Sequence, residues 1–282
     1  MVKLENEFLK IEIKKFGAEM VSVYNKEIER EVLWHGEADH WGQSSPHLFP
    51  TVGKVFNNQY KVDGETYQLR QHGFLREQMF DVLESSDDKA IFRFDPNDSM
   101  LSVYPYKHAV EVTYTLKGKR LEVKWDVYNL DDKVMFYSIG AHPGFVIDKS
   151  HDYVVEYELD GNPTQQVILD QGFIKELVNV EIKPLVINED TFINDAVMYT
   201  GVEAVTLVDQ TSGYRIRCDF KGFEYIAVWS SLRTGSMSPF VCLEPWRGIV
   251  DDLGGNVDIS QKRGIQSIAV GAVDTNRYGL EF

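Results

Sequence analysis

The chain has 282 residues, of which 44 are acidic and 29 basic, so its formal net charge at pH 7 is −15. A net negative protein is repelled by phosphate backbones, which argues against nucleic acid and anionic membranes as partners, although a few local Lys or Arg residues still permit a small anionic ligand. Two cysteines, Cys218 and Cys242, are too few for a disulfide framework and lack metal-ligand spacing, so we expect both to be plain buried residues.

Short runs that alternate apolar and polar residues follow one another along the chain. Val, Ile, Tyr, Phe and Thr are enriched in them, and turn residues separate them, which predicts β-strands. In chain order the runs are 8–17 (FLKIEIKKFG), 59–69 (QYKVDGETYQL), 90–96 (AIFRFDP), 108–130 (HAVEVTYTLKGKRLEVKWDVYNL), 152–161 (DYVVEYELDG), 204–220 (AVTLVDQTSGYRIRCDF) and 226–232 (IAVWSSL).

Turn residues between these runs predict three hairpins. Asp63-Gly64 has the chemistry of a type I′ turn, residues 116–120 form a short basic loop, and Ser212-Gly213 stands at a third tip. The one segment with a helical alternative is 165–178, for which we expect a single short helical turn. Strand signals throughout and the absence of a linker favour one all-β domain over residues 1–282, a large antiparallel β-sandwich.

The N-terminal residues 1–20 are amphipathic and charged and contain no apolar signal-peptide core. No stretch of the sequence approaches the roughly 20 apolar residues of a membrane-spanning helix. We therefore expect a cytoplasmic protein that does not bind membranes.

Two histidines stand in peptides that suggest a ligand site. His72 is followed by a glycine, which suggests close approach of the backbone, and Arg76 adds a positive charge nearby. His142 lies among small residues that leave room for a ligand, and Pro143 restricts it to extended or turn geometry. Each also has a plain structural interpretation, as a loop histidine at a strand end.

Glu244 ends an apolar run, and a carboxylate that points inward is costly unless it is paired. It is therefore either a structural partner, for example of Arg247, or a base with a raised pKa. Trp246 offers a flat apolar face that suits the C–H face of a pyranose ring. On local grounds the two interpretations carry equal weight.

Other motifs give weaker evidence for a functional site. His35, His40 and His47 lack the spacing of a metal site, and the glycine before Lys54 lacks the full phosphate-loop pattern and its helix. No Gly-x-Ser-x-Gly elbow marks a serine nucleophile.

Three peptides together are more specific than any one of them. The order His72-Gly73-Phe74-x-Arg76, His142-Pro143-Gly144-Phe145, Glu244-Pro245-Trp246-x-Gly248 resembles the aldose 1-epimerase (galactose mutarotase-like) superfamily. The chain looks most like the shorter branch with LacX-type proteins, and it is also similar to the hexose-6-phosphate mutarotases. The resemblance extends from residue 8 to about residue 273 and implies a β-supersandwich with its site on an open concave face.

The resemblance also implies roles for individual residues. Glu244 matches the family's catalytic carboxylate, His142 its catalytic acid, and His72 the first active-site histidine. Lys54 stands about where many members carry an arginine, and Asp195 is matched, loosely, to an aspartate that binds sugar hydroxyls. His142 precedes Pro-Gly-Phe, where galactose mutarotases have a Ser-Tyr-Phe-Asn type of run, which leaves the sugar undecided.

Mutarotation suits this residue set. Opening the hemiacetal ring removes a proton from the C1 hydroxyl and adds one to the ring oxygen, so it needs one base and one acid but no metal, redox cofactor or covalent intermediate. The reference pKa values of Glu and His, about 4.3 and 6.5, suit this work near neutral pH if Glu244 is modestly raised and His142 is protonated. His72 and Arg76 are expected to stabilise the polarised C1–O bond.

Two alternatives remain open at this stage. A hexose 6-phosphate substrate would need positive charge at the rim, for which Lys54, Arg76, Arg233 and Arg247 are the candidates. A non-catalytic carbohydrate-binding module would need no acid–base pair, and a glycosidase would show two paired carboxylates, which do not stand out here. The sequence is compatible with a monomer and with a homodimer.

Overall fold

The computed structural model describes residues 1–233, 235–255 and 258–282. Helical structure in these ranges consists of short 3-10 turns at Phe56–Asn58, Leu75–Glu77, Asp98–Ser102, Glu189–Phe192 and Ile259–Gln261. The strands in chain order are β1 Val2–Glu5, β2 Leu9–Ile13, β3 Met20–Asn25, β4 Arg30–Glu31, β5 His47–Leu48, β6 Gln59–Val62, β7 Glu65–Gln68, β8 Asp81–Ser85, β9 Lys89–Phe94, β10 His108–Lys117, β11 Arg120–Asn129, β12 Met135–Tyr137, β13 Ile139–Ala141, β14 Gly144–Val146, β15 Tyr153–Leu159, β16 Gln165–Asp170, β17 Phe173–Asn179, β18 Leu185–Ile187, β19 Val197–Tyr199, β20 Val202–Asp209, β21 Arg215–Asp219, β22 Tyr225–Trp229, β23 Leu232–Arg233, β24 Ser236–Met237, β25 Phe240–Arg247, β26 Gln266–Ile268 and β27 Val273–Glu281.

Two large antiparallel sheets dominate the fold and confirm the predicted β-sandwich. One has nine strands in the order β18-β15-β20-β21-β27-β11-β10-β9-β8. The other has eight, in the order β17-β16-β19-β22-β25-β13-β5, with β14 also paired to β25. The main hydrophobic core lies between the sheets, where Leu121 and Val123 of the first pack in one cluster with Val241 and Leu243 of the second.

Strand periodicity decides what the eight-stranded sheet presents on its other face. Successive side chains of a strand point to opposite faces, and on β25 the odd-numbered Val241 and Leu243 enter the main core. The even-numbered residues Cys242, Glu244 and Trp246 therefore face away from it. The candidate site is built on this second face.

The three predicted hairpins are confirmed. β6 and β7 join through Asp63-Gly64, β10 and β11 through Gly118, and β20 and β21 through residues 210–214. Asp63 and Gly64 both have positive φ, as a type I′ turn requires.

The predicted helical turn in 165–178 is wrong, because this segment is the β16–β17 hairpin. Gln171 and Gly172 form its turn with φ of 54° and 78°, two successive left-handed positions that do not continue a right-handed helix. Val167 and Ile174, on these two strands of the eight-stranded sheet, are buried in one cluster with Trp246, so tertiary packing fixes the strand state here.

Among the described residues, none of the helical segments could span a lipid bilayer.

Candidate active site

The register of β25 brings His142 and Glu244 together. Gly140 pairs with Trp246 and Gly144 with Cys242, and both pairs belong to one antiparallel register. His142 lies midway between the two glycines and so stands opposite Glu244. Pro143 has no N–H to donate and interrupts the ladder between β13 and β14.

The two side chains meet in a buried environment. Nε2 of His142 lies 3.0 Å from Oε2 of Glu244, and the side chains are 8% and 2% exposed. Three buried polar atoms have no hydrogen-bond partner among the described residues: Oε2 of Glu244, Nδ1 of His142 and Nε1 of Trp246. Buried polar atoms are almost always hydrogen-bonded, so three unpartnered ones in one place are typical of a site that takes a polar ligand.

Burial shifts the pKa values of Glu244 and His142 in opposite directions. It raises the pKa of Glu244 well above its usual value, and the charge of Asp195 adds to this while the Trp246 side chain opposes it. Burial, with a smaller contribution from the Arg76 charge, lowers the pKa of His142 to about 3. Glu244 is therefore raised as expected, but His142 is not held protonated. In the free protein burial favours a neutral histidine beside a protonated glutamate.

His72 is held in one orientation by Gly53. The Gly53 N–H donates to Nδ1 of His72 (3.1 Å), and the His72 N–H donates back to the Gly53 carbonyl (2.9 Å). Because Nδ1 accepts, a neutral ring carries its proton on Nε2. Nε2 lies 3.2 Å from the amide nitrogen of the Gln71 side chain, so a proton there requires this amide to be turned with its oxygen toward His72. Burial, then the neighbouring His142 and Arg76, hold the pKa of His72 well below its usual value, so the ring is a neutral donor.

The backbone around His72 is adapted to this position. His72 itself has a φ of 66°, which is uncommon for a residue with a side chain and frequent at functional sites. Gly73 follows with a φ of 67°, and a Cβ there would lie 2.1 Å from the Phe49 carbonyl oxygen. Only glycine fits at that position, which explains the His-Gly pair seen in the sequence.

Aromatic rings enclose the histidines. Trp41 stacks on His142 with ring centroids 4.6 Å apart, Trp229 meets it edge-on at 5.6 Å, and Trp246 lies 5.9 Å from His72. Sequence reasoning identified Trp246 but missed Trp41 and Trp229. Trp229 lies two residues beyond Ala227, the β22 partner of Glu244, so strand periodicity could have identified it; Trp41 lies in a loop and had no such signal.

Charged side chains stand around this aromatic pocket. Lys54 Nζ donates to the Gln171 carbonyl (3.1 Å), and the Arg76 guanidinium donates to Oε1 of Gln43 and to the Gln71 carbonyl, both at 3.0 Å. Asp195 is exposed, with a φ of 79°. Within the described ranges, neither Lys54 nor Arg76 has a carboxylate within 4.0 Å, so both cations face the pocket without an ion-pair partner.

These side chains line one cavity of about 270 Å³. It contains every sequence-predicted site residue: Lys54, His72, Arg76, His142, Asp195, Glu244 and Trp246. The other lining residues are Trp41, Gly53, Gln71, Leu169, Gly172, Ala196, Met198, Trp229 and Val250.

Two arginines proposed for the rim do not line this cavity. Arg247 is three residues from Glu244, so it points to the opposite face of β25, where Nη1 donates to Oδ2 of Asp274 on β27 at 2.9 Å. It is therefore not the partner of Glu244. The Arg233 guanidinium donates to the His40 carbonyl, and Arg233 is not among the lining residues.

The histidines with unsuitable metal spacing do not come together. His47 is fully buried against Tyr114 and Trp125, while His40 contacts Ser238. The one cluster of potential metal ligands in the described residues is instead His142, Cys242 and Glu244, whose ligand atoms all lie within 4.8 Å of one another. Cys242 and Cys218 are both buried and free, as expected.

Comparisons with known proteins agree with the fold and the motifs. The family model for aldose 1-epimerase matches residues 1–251. Chromosomal protein LacX of Lactococcus lactis subsp. lactis is 31% identical, over 91% of this chain and 91% of that protein.

Two solved structures are similar over nearly their whole length. One is a galactose mutarotase-like protein from Lactobacillus casei ATCC 334, with 29% identity, a TM-score of 0.94, and coverage of 100% of this chain and 99% of that one. The other is a galactose mutarotase related enzyme from Lactobacillus acidophilus, with 26% identity, a TM-score of 0.91, and coverage of 99% and 96%.

Proposed function

This chain belongs to the aldose 1-epimerase family, and we propose that it interconverts the α and β anomers of a hexose by acid–base opening and closure of the ring. Family membership indicates an isomerase that acts on a small-molecule sugar. Beyond this, we propose that the substrate is a hexose, and we propose the chemical steps and the catalytic residues given below.

The observation that carries the proposal is the His142–Glu244 pair. Two side chains that can each take up or release a proton face each other at 3.0 Å in a pocket with aromatic walls. A lectin needs aromatic faces and hydrogen bonds but no such pair, so the pair favours an enzyme over a carbohydrate-binding module.

In the proposed reaction the pair holds one proton throughout. Sugar hydroxyls that bind the Glu244 carboxylate stabilise its charged form. The two side chains, 3.0 Å apart, then turn into a hydrogen bond, and the proton moves from Glu244 to His142. Glu244 then takes the proton of the C1 hydroxyl while His142 gives its proton to the ring oxygen, and the C1–O5 bond breaks as the carbonyl forms. After rotation about C1–C2, the same transfers in reverse close the ring on the other face.

His72 and Arg76 complete the arrangement. Because the neutral His72 carries its proton on Nε2, it is suited to donate to the C1 oxygen, in exchange for the Gln71 side chain, as negative charge develops there. Arg76 adds positive charge without an ion-pair partner in the described part of the chain. Trp41, Trp229 and Trp246 offer faces for the C–H surface of the pyranose.

A second candidate substrate is a hexose 6-phosphate. Lys54 and Arg76 favour it, because two cations that face a pocket without carboxylate partners are suited to an anionic group. The positive charge at the pocket comes from fewer residues than the sequence suggested, since Arg233 and Arg247 do not line the pocket.

Measuring anomer exchange on a panel of sugars tests both candidate substrates, the free hexose and the hexose 6-phosphate. Freshly dissolved α-anomers of glucose, galactose and their 6-phosphates are followed by polarimetry and by NMR saturation transfer. We expect enzyme-dependent exchange that falls roughly 10²–10⁴-fold in Glu244→Gln and in His142→Asn, while Glu224→Gln, a carboxylate outside the pocket, keeps its rate. Exchange at the wild-type rate in Glu244→Gln, or binding of sugars with no exchange at all, would contradict the proposal.

A further inference from the structure

We propose that His142, Cys242 and Glu244 form a binding site for one thiophilic divalent cation, such as Zn²⁺ or Cd²⁺, and that its occupation blocks anomerisation. The binding site is argued from geometry alone. The blocking rests on the proposed function, because it assumes that His142 and Glu244 transfer protons.

The ligand atoms already converge. Cys242 and Glu244 are two residues apart on β25 and share a face, and His142 stands opposite Glu244. One ligand atom from each lies within 4.8 Å of the other two. Zinc bonds of about 2.0–2.3 Å in a tetrahedron place ligand atoms roughly 3.3–3.8 Å apart, so side-chain adjustments of about 1 Å close the site.

The burial of these groups points to a ligand as well. His142, Cys242 and Glu244 are 7%, 0% and 2% exposed. Nδ1 of His142 and Oε2 of Glu244 lack hydrogen-bond partners among the residues described. A cation bound between the three side chains would give Oε2 of Glu244 the partner that the protein leaves it without.

The donor set selects the kind of cation. A thiolate, an imidazole and a carboxylate suit Zn²⁺ and Cd²⁺, whereas Mg²⁺ and Ca²⁺ prefer oxygen ligands alone. When the cation binds, the thiol proton of Cys242 and any proton held by the pair leave to solvent, and no other bond changes.

A bound cation and a reacting sugar exclude each other. His142 and Glu244 line the pocket, so the cation occupies the atoms that are proposed to act on the sugar. Three protein ligands leave the fourth position open toward the pocket, where water binds. The expected inhibition is therefore competitive with sugar.

Cys242 can be tested against a matched cysteine. Cys218 is also buried and free, but it lies in β21 of the nine-stranded sheet and belongs to no ligand cluster in the described residues. Untagged wild type, Cys242→Ser and Cys218→Ser are titrated calorimetrically with ZnCl₂ and CdCl₂, and spectroscopically with Co²⁺, which reveals a thiolate ligand by its charge-transfer absorption. Wild type and Cys218→Ser should bind one cation, and Cys242→Ser at least roughly 100-fold more weakly, since even groups behind the ligands contribute 10–100-fold.

Activity provides an independent readout. Cys242→Ser should anomerise sugar at the wild-type rate and resist Zn²⁺, whereas wild type and Cys218→Ser should be inhibited. Equal Zn²⁺ affinity in Cys242→Ser, or no thiolate absorption with Co²⁺, overturns the site. If Zn²⁺ binds as described but wild type exchanges no sugar, the proposed function fails while the cation site stands.

Discussion

His142 stands opposite Glu244 across the β25 register, with Nε2 of the imidazole 3.0 Å from Oε2 of the carboxylate. Burial disfavours charge on both groups, so it moves their pKa values in opposite directions, the glutamate upward and the histidine down to about 3. Groups this close titrate as a pair. In the proposed reaction, the active state is the pair that holds one proton between its two groups.

The first prediction concerns the pH range of activity. The acid limb should lie well below the ordinary histidine value of about 6.5, because His142 gains a second proton for the pair only near its lowered pKa of about 3. The alkaline limb should lie above the ordinary glutamate value, because the shared proton leaves at the raised pKa of Glu244. The pH dependence of kcat/KM measures both limbs. An acid limb at pH 6 to 7 would show that His142 titrates as an exposed histidine does.

The second prediction isolates the influence of Arg76. Its positive charge lowers the pKa of His142 and of His72, so Arg76→Gln should move the acid limb to higher pH, whatever it does to sugar binding. NMR titration of the His142 ring protons in the free protein measures the shift directly. Arg70→Gln is the matched control, because Arg70 is exposed, pairs with Glu77 and does not line the pocket. Equal shifts in both variants, or none in Arg76→Gln, would remove Arg76 from this role.

The strand content and the hairpins could be predicted because their signals are local. Alternation marks β9, β10 and β11, and a turn such as Asp63-Gly64 needs no information from elsewhere in the chain. The β16–β17 hairpin was mistaken for a helical turn because its strand state depends on packing against β19 and β22, which the segment itself does not encode.

Only part of the site could be predicted from the sequence. Strand periodicity alone shows that Glu244 and Arg247, three residues apart, point to opposite faces, so Arg247 could have been excluded as a partner of Glu244 from the sequence. The 3.0 Å contact between His142 and Glu244 depends on how β13 and β14 pair with β25, roughly a hundred residues later in the chain. No local pattern fixes that register.

The third prediction concerns His72. Because Gly53 fixes Nε2 as the donor, His72→Ala should lower kcat by roughly 10²–10³-fold, as the loss of one oxyanion donor does elsewhere. KM should change less, since this hydrogen bond strengthens in the transition state. His35→Ala is the control, because His35 is exposed and does not line the pocket. A change in KM alone would make His72 a binding residue rather than a catalytic one.

The last prediction concerns stability at the end of the β20–β21 hairpin, far from the pocket in sequence. Asp209 is buried and accepts from Ser212 Oγ (2.6 Å) and from the backbone N–H of Thr211 (2.9 Å), and its Oδ2 lies 2.8 Å from Nδ1 of His151. Burial alone would raise the pKa of Asp209, but these hydrogen bonds together hold it well below its usual value.

A carboxylate whose pKa is lower in the folded state stabilises the fold fully above its unfolded pKa, about 3.9, and progressively less as the pH falls below that value. Asp209→Asn should therefore lower the free energy of unfolding by about 1.5–3 kcal/mol at pH 7, as expected for hydrogen bonds to a charged group, and by less near pH 3. Urea unfolding at the two pH values measures the difference, with the exposed Asp87→Asn as control. An equal loss at both pH values would mean that packing, and not the charge of Asp209, stabilises the hairpin.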